Sequence, residues 1–76
     1  MSRSNYHTTQ NLYEASYLLA KGFKLTGKDE QESKTMLFFE GEGVGEESLR
    51  YYNGGLVKAK AYSDAYRTLK DYIFER

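Results

Sequence analysis

The end of the chain, AYSDAYRTLKDYIFER, carries an apolar stripe that one secondary structure satisfies. Tyr62, Ala65, Tyr66, Leu69, Tyr72 and Ile73 recur at i, i+3, i+4 and i+7, while Ser63, Asp64, Arg67, Thr68, Lys70 and Asp71 fall between them. At 3.6 residues per turn the first set shares one helical face and the second takes the opposite one. The spacing predicts a terminal helix over 62–73 that begins near Ala59 to Ala61. Such a helix is marginal alone in water, so its stripe must be covered by the rest of the chain or by a partner. The fold is therefore expected to be organised around it.

Upstream, Asn11 is placed as a helix N-cap, with Glu14 three residues on to complete a capping-box-like pair and to favour the positive end of the helix dipole. Leu12, Ala15, Leu18 and Leu19 follow at helical spacing and Gly22 supplies a left-handed stop, which predicts a helix over 11–21. Ser4 to Thr8 reads as a short edge strand. Phe23-Lys24-Leu25-Thr26 alternates like a strand with one buried face, Gly27 to Ser33 reads as a charged turn, and Lys34 to Glu40 as a second strand. In that strand Met36 and Phe38 point to one side and Leu37 and Phe39 to the other, so both faces want cover. It belongs at the centre of the sheet, with the N-terminal segment on its far side.

Gly41, Gly43 and Gly45 form a flexible connection, and Glu46-Glu47 suit the first turn of a short helix through Tyr51 or Tyr52, ended by Asn53-Gly54-Gly55. Leu56-Val57 reads as a brief extended piece. With no Pro, no repeat and no low-complexity stretch there is no linker, and residues 1–76 form a single small domain. The expected fold is α+β in the order β-α-β-β-α-(β)-α, about three helices packing a small antiparallel sheet, with Leu69 in the core near Phe38 or Met36.

Composition narrows the function classes. The chain has no Cys, which removes disulfides, thiol nucleophiles and thiolate metal sites and fits a reducing compartment. The opening MSRSNYHTTQ has no apolar signal-like core, and no apolar run approaches the ~20 residues of a membrane span. A soluble cytoplasmic protein is expected, with no membrane role. Net charge is zero, so global electrostatics give no push toward nucleic acid. Charge is nonetheless segregated: Asp29, Glu30, Glu32, Glu40, Glu42, Glu46 and Glu47 stand against Lys34 alone, between basic flanks. Solvated loops account for this, and so does contact with a basic surface.

His7 is the single histidine, and no carboxylates stand at a recognisable metal-ligand spacing around it; it reads as a strand or loop residue. Gly41-Glu42-Gly43-Val44-Gly45 lacks the Gly-Lys-Ser/Thr ending of a phosphate loop, and Glu40, Glu42, Glu46 and Glu47 would repel a phosphate. The acidic residues do not follow a calcium-loop pattern. No enzyme, no metal and no cofactor is expected.

Eight Tyr and four Phe are too many large rings for a 76-residue interior, and half-exposed tyrosines are interface material. The leading expectation is a non-enzymatic binding module acting through protein–protein contacts, with Glu42, Glu46, Glu47, Tyr51 and Tyr52 as its binding residues. The alternative is a small nucleic-acid-binding protein using the basic and aromatic cluster of Lys58, Lys60, Arg67 and Lys70 around the last helix. A homodimer is the simplest cover for the second face of Met36-Leu37-Phe38-Phe39; the competing reading is a monomer whose N-terminal strand and extra tyrosines complete that cover.

Thr9-Gln10-Asn11-Leu12 leading to Ala15, Leu18 and Gly22, then Phe38-x-Glu40, Tyr51-Tyr52-Asn53-Gly54, Val57 and Leu69-Lys70, resembles a family of small uncharacterised domains of phages and their bacterial hosts, known as a domain of unknown function. The resemblance covers nearly the whole chain. Asn11 stands where such sequences usually have Asp, and Lys58-Ala59 where an Asp-Pro usually opens the last helix. The resemblance implies a phage or mobile-element accessory protein and brings no activity, cofactor or catalytic residue with it.

Overall fold

Four apolar residues in succession, Met36 to Phe39, form the spine of the sheet. The computed structural model describes residues 5–74, which run β1 (Tyr6–Thr9), α1 (Leu12–Ala20), β2 (Lys24–Gln31), β3 (Lys34–Glu40), α2 (Val44–Tyr52) and α3 (Ala59–Ile73). The strands form an antiparallel sheet in the order β1-β3-β2, so β3 is central. Strand alternation sends Leu37 and Phe39 to the side covered by the helices, where both are buried with Ala15, Tyr17 and Leu18 of α1, Val44 of α2 and Leu69 of α3. The fold is α+β, as the alternating patterns imply.

Four expectations are corrected. Gly27 to Ser33 is not a charged turn: β2 continues to Gln31, pairing Lys28 with Leu37, Asp29 with Met36, Glu30 with Thr35 and Gln31 with Lys34, and only Glu32 and Ser33 turn the chain. Backbone pairing is indifferent to side-chain charge where the charges stay in water. Lys28 is on the inner face and snorkels, its Nζ donating to the Tyr72 carbonyl at 2.6 Å and lying 3.1 Å from Glu30 Oε2. A register shift between Leu25 and Gly27 leaves Thr26 outside the ladder, with its hydroxyl donating to the Phe38 carbonyl.

The expected extended piece at Leu56-Val57 is irregular chain outside the sheet. Leu69 is fully buried, but the central-strand residues that share its core cluster are Leu37 and Phe39, while Met36 and Phe38 lie outside it. The register of β3 decides this, because a one-residue difference exchanges the two faces.

The terminal helix keeps the face its spacing demands. Ala65 and Leu69 are buried, Tyr62, Tyr66, Tyr72 and Ile73 are half-buried, and Ser63, Asp64, Arg67, Thr68, Lys70 and Asp71 are exposed. The organising element, however, is α1 and not α3. Glu14, Ala15, Ser16, Tyr17 and Leu18 are all buried, and α3 packs along this helix. Its ends are well determined by sequence. Asn11 Oδ1 accepts from the Tyr13 and Glu14 amides at 3.0 and 3.3 Å. At the other end Gly22, at φ 99°, donates to the Leu19 carbonyl and Phe23 donates to that of Leu18, a Schellman closure. The same closure ends α2, where Gly54 and Gly55 donate to the carbonyls of Tyr51 and Arg50.

Candidate functional site

Glu14 does not close a capping box. The Asn11 amide donates instead to the Thr9 hydroxyl at 3.0 Å, and the Glu14 side chain turns inward, where it is 3% exposed. There its two oxygens collect four donors. Thr9 Oγ1 and Tyr52 Oη donate to Oε1 at 2.8 and 2.9 Å; Ser48 Oγ donates to Oε2, and His7 Nε2 lies 2.6 Å from the same oxygen. Burial by itself raises the Glu14 pKa, but the hydrogen bonds from Ser48, Thr9, Tyr52 and His7 together outweigh it and hold the carboxyl below its ordinary value. The carboxylate joins β1, α1 and α2.

The arrangement is a clasp. Ser48 and His7 both address Glu14 Oε2, so the serine proton is committed to the carboxylate and not to the imidazole. Among the described residues no three His, Cys, Asp or Glu side chains converge as a metal site would require.

What the clasp does hold is an aromatic surface. Tyr52 is 61% exposed, yet its hydroxyl is fixed between Glu14 and the Asn11 amide group, which donates to it at 3.2 Å. Its ring meets Tyr51 edge-on at 4.9 Å, and Tyr51 in turn lies 5.6 Å from Tyr17. Tyr17 donates to Glu47 Oε2 at 2.6 Å, and burial, then Glu47, push its phenol up to about 12. A side chain at Gly55 would collide with that hydroxyl, so the glycine is needed for the close approach.

Tyr13, 56% exposed, stacks on Tyr66 of α3 at 5.7 Å. Tyr62 is half-buried on α3, and burial raises its pKa, with Tyr51, Tyr13 and Tyr66 adding to the effect. Each helix thus contributes two tyrosines to these groups, which are exposed at Tyr13 and Tyr52, half-buried at Tyr51, Tyr62 and Tyr66, and reach the core at the buried Tyr17.

The residues expected from sequence are distributed around this feature. Tyr51 and Tyr52 belong to it. Glu42 and Glu46 are exposed, whereas Glu47 is turned toward Tyr17 with a side chain 17% exposed and Arg50 at 3.8 Å. Lys58, Lys60, Arg67 and Lys70 are all exposed. Lys60 pairs with Asp64 at 3.2 Å, and Lys70 Nζ stands 6.0 Å from the Tyr66 ring centre. Sequence reasoning missed Glu14, Thr9, Ser48 and Tyr13 as site residues, and read His7 as a strand residue without its carboxylate partner. The available signal was a carboxylate on the apolar side of α1, next to Ala15 and one turn before Leu18.

A family model described as Domain of unknown function (DUF5659) matches residues 4–75, and the chain belongs to that family. No curated protein and no solved structure matches it. Among the described residues no helix is long and apolar enough to cross a membrane.

Proposed function

We propose that this member of the family is a non-enzymatic binding module, a phage or mobile-element accessory protein of the cytoplasm that works through protein–protein contacts made by its tyrosine surface. The observation that carries the reading is the exposed yet fixed state of Tyr52 and Tyr13. Tyrosines supply large contact area with few torsions to freeze, and rings already held by Glu14, Asn11 and Tyr66 lose little further freedom on binding. Glu42 and Glu46 add negative charge that favours a basic partner surface and speeds encounter with it.

Photocrosslinking from position 13 in bacterial lysate tests this. One protein should be captured, capture should be lost in Tyr52→Ala and Tyr66→Ala with the melt still cooperative, and reversal of Glu42 and Glu46 should slow it. Capture that survives both tyrosine truncations in folded protein rejects the reading.

The second reading, nucleic-acid binding, draws on Lys70 beside the Tyr66 ring with Lys58, Lys60 and Arg67 exposed on the same stretch. It requires affinity for single-stranded DNA or RNA that falls steeply with salt. Fluorescence anisotropy at low salt distinguishes the two.

A further inference from the structure

The helices pack on one face of the sheet; among the described residues no helix covers the other, where Met36 and Phe38 of β3 are half-buried. On that open face β3 presents Lys34, Met36, Phe38 and Glu40, since Leu37 and Phe39 are the buried alternates. Phe38, half-buried, is flanked by Thr8 on β1 and Gly27 on β2. Beside Met36, β1 has already ended and β2 offers Asp29. Among the described residues neither Lys34 nor Glu40 is in an ion pair.

The series Lys34, Met36, Phe38, Glu40 is self-complementary. A two-fold axis parallel to the sheet and across the strands at the level of Leu37 reverses the strand direction of a second copy stacked ~10 Å away. Lys34 then faces the partner's Glu40, Met36 faces the partner's Phe38, and symmetry repeats each pair. Turning the axis along the strands instead sets Lys34 on Lys34 and Glu40 on Glu40, which like-charge repulsion disfavours. We infer that the open sheet face is a dimer interface for a second copy of this chain, packed antiparallel with the Lys34–Glu40 pairs fixing the register. The interface is separate from the tyrosine surface, so the dimer displays two such surfaces, one on each outer side.

Sedimentation equilibrium from a few to a few hundred micromolar tests the assignment with wild type, Lys34→Glu and Glu40→Lys. Both substitutions sit at exposed strand ends, and circular dichroism melts verify the fold. Wild type should reach twice the 8.8 kDa chain mass. Each variant alone should dissociate at least about tenfold more readily, because it places like charges together at both pairs. An equimolar mixture of the two variants should associate again, since positions 34 and 40 then pair acidic with basic at both contacts. Wild type that stays at the chain mass throughout, a dimer indifferent to either reversal, or a mixture that remains monomeric overturns the inference.

Discussion

Tyr52 and Glu14, thirty-eight residues apart, are joined by a 2.9 Å hydrogen bond from the tyrosine hydroxyl to Oε1 of the carboxylate. An exposed ring on α2 is thereby anchored to a buried charge on α1, and the geometry of the outer surface depends on an interior group. Three further donors, from Thr9, Ser48 and His7, make that interior group the junction of β1, α1 and α2.

Glu14→Gln should therefore be costly although it changes almost no volume. The amide retains one acceptor oxygen and turns an NH2 toward side chains that are themselves donors. Loss of charge-assisted bonds and the resulting unpaired groups should cost about 3 kcal/mol. For a domain of this size that is a fall in melting temperature of roughly 12–24 °C. A thermal melt within a degree of wild type would show that the carboxylate is not a structural junction.

The same residue should set the acid limit of the fold. Its folded pKa lies below the ordinary value of 4.5, so between the two values the unfolded chain binds more protons than the folded one and stability rises with pH. The contribution is complete above 4.5 and is lost as pH falls through the folded value. Urea titrations should show a gap between wild type and Glu14→Gln that is wide at neutral pH and narrow in strong acid. A gap independent of pH contradicts the linkage.

Leu69→Ala removes a fully buried side chain from the cluster shared with Leu37, Phe39, Ala15 and Leu18. Such truncations cost about 2–5 kcal/mol, against a total of about 4–11 kcal/mol for a domain of this length. Most of the variant should be unfolded by modest urea at room temperature, as read by circular dichroism. A near-wild-type midpoint would place α3 outside the cooperative core.

Lys58→Asp should stabilise the protein. Lys58 occupies the N-cap of α3 in extended conformation but makes no side-chain cap bond, and its charge opposes the positive end of the helix dipole. An aspartate there accepts a first-turn amide and should add about 1 kcal/mol, or roughly 4–8 °C in the melt. An unchanged or lower midpoint would mean that the first turn of α3 is already satisfied in another way. The same variant removes one cation of the nucleic-acid reading, so its anisotropy reports on that reading directly.

Much of the fold was legible in the chain itself. The six-residue stripe on α3, the Asn11 and Gly22 ends of α1, the Gly54 end of α2 and the central place of β3 all follow from patterns contained within a few consecutive residues. The charged run from Gly27 to Gln31 was misread because strand pairing is a contract with a distant backbone, and side-chain polarity at an exposed hairpin end does not report it. The tyrosine surface was legible as an excess of rings, but not as a place. Tyr51 and Tyr52 were identified, while Tyr13 gained its meaning only when α1 met α3.

The sequence by itself determined the two ends of α1, the glycine stop of α2 and the apolar face of α3, because caps and 3.6-residue periodicity act over three or four residues. Only the tertiary structure decided that Glu14 is interior, that α1 and not α3 is the hub, and that Leu37 and Phe39 turn inward while Met36 and Phe38 turn out. A buried carboxylate is stable only where enough donors converge on it, and here they come from positions 7, 9, 48 and 52. No local pattern encodes a meeting of groups so far apart along the chain; it exists once the sheet and the three helices have closed around it.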